Sequence, residues 1–118
     1  MKIVMEIFVK NIKFAGDAWD YVHFHFYNNK LSSVDFSNVE PFTSIPIMES
    51  RWNNLKNRIE NKYGDYYLRT QSSIIMYSDG VTSIALNLAD DTGSMILMLY
   101  YSNDALIVQE LQAVDDEL

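Results

Sequence analysis

One stretch constrains this chain more than any other: Met95-Ile96-Leu97-Met98-Leu99-Tyr100-Tyr101 is apolar without interruption. Successive residues of a strand point to opposite faces, so a strand made of these residues is apolar on both. Such strands belong in the middle of a sheet whose two faces are both covered. The run falls far short of the roughly 18–20 apolar residues of a membrane span. The chain must therefore build a sheet that lies between two layers.

The remaining elements follow from periodicity. Residues 2–10 alternate, with Ile3, Met5, Ile7 and Val9 on one face and Lys2, Glu6 and Lys10 among those on the other, which predicts a half-buried strand. Residues 11–20 give no clear pattern, although Gly16 suggests a turn. Residues 21–27 alternate again: Val22, Phe24 and Phe26 oppose Tyr21, His23, His25 and Tyr27. Asn28-Asn29-Lys30 reads as a hairpin turn, because Asn tolerates positive φ. A third strand follows with Val34 and Phe36 inward, then a loop over 37–46 that holds both prolines, Pro41 and Pro46.

Met48, Trp52, Leu55, Ile59 and Tyr63 fall at helical spacing and predict one principal helix over about 47–63. Thr43 or Ser44 is placed to cap it, and Gly64 to stop it. Beyond it the pattern predicts four strands, at about 66–77, 81–89, 95–101 and 105–113, joined at Ser78-Asp79-Gly80, Asp90-Asp91-Thr92-Gly93 and Ser102-Asn103-Asp104. The expected fold is α+β: a mainly antiparallel curved sheet of about seven strands packed on one principal helix, in the order βββαββββ. At 118 residues, with 48% hydrophobic and 21% charged residues, one domain spanning 1–118 is expected. The helix covers one face of the sheet; the N-terminal strands or a second protomer, as in a homodimer, must cover the other.

Charge is distributed unevenly. From Asp65 onward there is one basic residue, Arg69, against nine acids, a net of −8, whereas the first 64 residues carry a net of +1. A pI near 4.6 disfavours nucleic acid and anionic membrane as partners and favours a basic protein. Tracing the expected hairpins puts Asp65, Asp90, Asp91, Asp115, Asp116 and Glu117 at one end of the sheet, with Tyr66 and Tyr67 nearby as aromatic anchors. These are the candidate partner-binding residues. Asp79 and Asp104 are explained by turn chemistry. The bland alternative is that the whole set is simply a solvated surface. Asp90-Asp91-Thr92-Gly93 lacks the spacing of an EF-hand calcium loop.

No catalytic motif is present. There is no Cys, no Gly-x-Ser-x-Gly and no phosphate-binding glycine loop, so no enzyme activity and no cofactor is expected. His23 and His25 share one strand face. They are weak metal candidates, with Asp20 or Asp35 as potential further ligands, against the simpler reading that they pack beside Tyr21 and Tyr27. The absence of cysteine and of a signal-like N-terminus points to a cytoplasmic protein.

In overall type, a short, acidic, cysteine-free α+β chain resembles the immunity proteins of bacterial contact-dependent inhibition and polymorphic toxin systems. The resemblance spans the whole chain and assigns no residue. It implies a protein that binds and neutralises a cationic nuclease toxin domain. Carboxylates arranged like phosphates suit that task, and equally suit a phage-encoded nucleic-acid mimic that inhibits a host nuclease. A small metal-binding protein or enzyme built on His23 and His25 is the third reading.

Overall fold

In the computed structural model, residues 3–14, 16–41, 45–64, 67–71, 74–91 and 94–117 are described, those at 67–71, 91 and 113–117 by their backbone only. Among the described residues, nine elements run in the order β1 (Val4–Phe14), β2 (Asp17–Tyr27), β3 (Lys30–Pro41), α1 (Ile45–Tyr63), β4 (Tyr67–Gln71), β5 (Ile74–Ser78), β6 (Thr82–Asp91), β7 (Ser94–Asn103) and α2 (Asp104–Glu117). The protein is α+β. Its seven strands form one antiparallel sheet in the spatial order β1-β2-β3-β7-β6-β5-β4. The sequence order βββαββββ holds, and a second helix follows it.

The doubly apolar strand occupies the middle of that sheet. Met95, Leu97 and Leu99 of β7 are buried among Met48, Trp52, Leu55 and Ile59 of α1, with Ile84, Leu86 and Leu88 of β6 beside them. Ile96, Met98 and Tyr100 on the other face are only half-buried. Helix α1 lies where its apolar stripe predicts, and its Arg51 Nε donates to Asp17 Oδ1 at the start of β2 (3.4 Å). Gly64 follows α1 with a φ of 42°, the left-handed geometry of a helix stop. The Asn28-Asn29 turn has both residues at positive φ, 50° and 64°, as a two-residue hairpin requires. The expected cap residues Thr43 and Ser44 lie outside the described residues. Among those described, no helix is long and apolar enough to cross a membrane.

Four expectations about the elements need correction. The clearest concerns 105–113, which is helical and not a strand. Asn103 Oδ1 accepts the Leu106 N–H at 3.2 Å, so Asn103-Asp104 is a helix cap where a hairpin turn was expected. Asx residues serve both purposes, and β-branched Ile107 and Val108 gave the segment the look of a strand. Second, the stretch 66–77 contains two short strands, β4 and β5, which pair antiparallel with Tyr67 opposite Tyr77. Third, β3 runs on to Pro41, shortening the expected 37–46 loop. Fourth, β1 is not half-buried. Ile3, Met5 and Ile7 remain 46%, 47% and 41% exposed, because β1 is the sheet's edge and neither helix lies over its first half.

The N-terminal strands do not cover the face opposite α1, because they join the same sheet; helix α2 sits there, and a polar row explains its position. The strand register places Ser78, Ser83, Ser102, Ser33, His25 and Glu6 side by side across β5, β6, β7, β3, β2 and β1. Asp104, the first residue of α2, accepts from Ser78 Oγ (3.3 Å), Ser83 Oγ (3.0 Å) and Ser102 Oγ (3.3 Å). Six residues further on, Glu110 reaches His25 at 2.7 Å. A helix rises about 9 Å over six residues, close to the roughly 9.5 Å of two strand spacings. The helix is thus clipped along the row at both points, crossing the strands.

Candidate functional site

The clip at His25 belongs to a larger cluster. His23 and His25 project from the same face of β2, since they are two residues apart. Antiparallel pairing brings Phe8 and Glu6 of β1 opposite them on one side, and Asp35 and Ser33 of β3 on the other. Glu6 Oε1 lies 3.3 Å from His23 Nε2 and 3.2 Å from His25 Nδ1. The three groups bring one ligand atom each to within 4.8 Å of one another.

Each imidazole also has its second nitrogen beside a further carboxylate. His23 Nδ1 is 3.5 Å from Asp35 Oδ2, and His25 Nε2 is 2.7 Å from Glu110 Oε1. His23 Nε2 is buried and has no hydrogen-bond partner; its approach to Glu6 is short but poorly aligned for one. The Phe8 ring stacks flat on His23, with centroids 4.4 Å apart and planes within 6°. A concavity of about 360 Å³ opens alongside, lined by Phe8, Lys10, Tyr21, His23, Asp35 and Ser37 among others.

The electrostatics follow from these contacts. The hydrogen bond to Glu110 is the main reason His25 holds its proton above the usual imidazole range; partial burial opposes it, and Glu6 adds to it. Burial pushes the Asp35 carboxyl up, and His23 offsets part of that. Two imidazoles among three carboxylates form a site that attracts cations.

The acidic end expected from the sequence is assembled differently. Asp65 and Tyr66 lie outside the described residues. Tyr67 begins β4 opposite Tyr77, at the end of the sheet away from Asp90, because the β4–β5 hairpin reverses the chain once more than expected. Asp115, Asp116 and Glu117 are in the last turn of α2 and not at the end of a strand, and their side chains are outside the described residues. Exposed Asp90 and the backbone of Asp91 do occupy the expected end, opposite Met95 and Ser94. Of the proposed further metal ligands, Asp35 is in the cluster, while the Asp20 backbone N–H bonds Asn38 Oδ1 (2.6 Å).

Glu6 and Glu110 were missed. Glu6 could have been found by reading β2 back to Asp17, since a hairpin turning at Gly16 fixes Glu6 opposite His25. Glu110 could not, because it reaches the site only from a helix. No family model, curated protein or solved structure matches this chain.

Proposed function

We propose that this protein binds a divalent first-row metal ion, Zn²⁺ by preference, through Glu6, His23 and His25. One observation carries the reading: three ligand atoms converge while the outer nitrogen of each histidine faces a carboxylate. A tetrahedral centre with bonds of about 2.0–2.1 Å spaces its ligands roughly 3.3–3.4 Å apart. The Glu6–His23 and Glu6–His25 separations, 3.3 and 3.2 Å, fit that edge. Asp35 and Glu110 supply the outer carboxylates that orient metal-bound imidazoles and raise their basicity. The buried, unpartnered His23 Nε2 would gain a partner on metal binding. Two imidazoles and one carboxylate suit zinc or iron(II) better than calcium or magnesium, which prefer oxygen. Three protein ligands leave a coordination position for water or another small ligand.

The test is calorimetric titration of untagged protein with Zn²⁺. One ion per chain is expected, His25→Ala should abolish binding, and Asp35→Asn should weaken it by about 10–100-fold. Failure of the wild-type protein to bind Zn²⁺ stoichiometrically overturns the reading.

A second reading, neutralisation of a cationic protein such as a nuclease toxin domain in the cytoplasm, is supported by the −8 carried after residue 64. Half-buried Ile96, Met98 and Tyr100 on the sheet face opposite α1 provide apolar surface for such a contact.

A further inference from the structure

We infer that β1 pairs antiparallel with β1 of a second copy of this chain, joining two sheets edge to edge around Phe8. Strand β1 is the first strand of the sheet and is 11 residues long. An edge of that length carries a row of unpaired backbone donors and acceptors, and chains usually protect such edges by shortening, twisting or covering them. Here the protection is partial. Asn11 has a φ of 58°, which interrupts the regular edge after Lys10. Before that point the strand is regular and uncovered, and Phe8 is 73% exposed, the highest value among the large apolar side chains of the described residues.

Self-complementarity selects the partner and the register. With Phe8 on the two-fold axis, residue pairs across the seam are Glu6 with Lys10, Ile7 with Val9, and Phe8 with its own copy. On the face that carries His23, each Glu6 then meets the ammonium of Lys10 of the second copy, and the two Phe8 rings meet between them. On the α1 face, Ile7, which is exposed in the single chain, meets half-buried Val9, so the two apolar groups cover one another. Moving the axis to Ile7 would oppose Glu6 to Phe8; moving it to Val9 would oppose Phe8 to Lys10. Only the central register matches charge with charge and apolar with apolar on both faces. Glu6 contacts both imidazoles through Oε1, which leaves Oε2 for the cross-seam ammonium. Symmetric pairing of one strand with its own copy is the isologous contact of a two-fold dimer.

The pairing does not rest on metal binding, so it is tested in metal-free protein. Sedimentation velocity from micromolar to near-millimolar full-length chain should show a monomer–dimer equilibrium. Phe8→Lys puts two like charges on the axis and should give monomer throughout, with a native near-ultraviolet circular dichroism spectrum. Lys10→Glu should raise the dimer dissociation constant by roughly tenfold or more at low salt. The double exchange Glu6→Lys with Lys10→Glu restores opposite charges and should recover the dimer, although the metal ligand is lost. A wild-type chain that stays monomeric overturns the inference, as does a Phe8→Lys dimer. Failure of the double exchange to recover association overturns the register. If Phe8→Lys does not fold, Lys10→Glu and the double exchange decide.

Discussion

Strands β1 and β7 are nearly equal in length and similarly rich in apolar residues, yet they meet opposite fates. Leu97 and Leu99 of β7 are 0% and 1% exposed, whereas Met5 and Phe8 of β1 are 47% and 73% exposed. Composition does not separate them; position does. Strand β7 lies between β3 and β6 and under α1, whereas β1 ends the sheet, and only its second half, at Ile12, packs against the α1 core. The packed half of the molecule supplies stability, and the open half holds the ionisable groups Glu6, His23 and His25, which need water or a ligand at hand.

The comparison breaks if the two strands carry similar stability. Leu97→Ala should cost about 2–5 kcal/mol through lost burial and the cavity left beneath α1. Ile7→Ala, measured at concentrations where the chain is monomeric, should cost under about 1 kcal/mol, since Ile7 is already 41% exposed. Urea denaturation of both variants decides; equal costs would show that β1 is buried in solution.

A smaller effect sharpens the boundary between the halves, where α2 is clipped to His25. In metal-free protein, Glu110→Gln should destabilise by about 1 kcal/mol. The pH dependence has a definite sign. His25 is raised above 6.5 in the folded chain, chiefly by Glu110, so its contribution is complete below that value and is lost as pH rises through the folded pKa. The urea midpoint should therefore fall from mildly acidic toward mildly alkaline pH, and Glu110→Gln should flatten the fall. A profile unchanged by that substitution would mean that α2 is not held there.

The smallest effect belongs to the β5–β6 turn. The N–H groups of Thr82 and Val81 donate to Asp79 Oδ1 at 2.8 and 2.9 Å, holding its carboxyl below the usual range. That contribution is present above the unfolded value of 3.8 and is lost as pH falls through the folded one. Asp79→Ala should lower the melting temperature slightly and reduce the loss of stability on acidification; an identical acid limb would count against the turn as a stabilising element.

Much of the fold was legible because its signals are local. The α1 stripe, the Asn28-Asn29 turn and the His-x-His face each depend on residues a few positions apart. What failed was also local. Around Ile107 and Val108, β-branched propensity favours a strand, and docking of α2 onto the serine row decided the outcome. The charge asymmetry is legible as a count, but its gathering at one end requires a strand at 105–113, which is a helix, and a single strand at 66–77, which is a hairpin.

The sequence alone determined that a doubly apolar strand would sit inside a sheet beside one amphipathic helix, and that His23 and His25 would share a face, since period and alternation are fixed by backbone geometry. Only the tertiary structure decided that β1 would be left at an open edge, and that Glu6, Asp35 and Glu110 would surround those histidines. Glu110 is 85 residues from His25 along the chain, and a contact over that distance is set by strand order and helix docking, which no local pattern encodes.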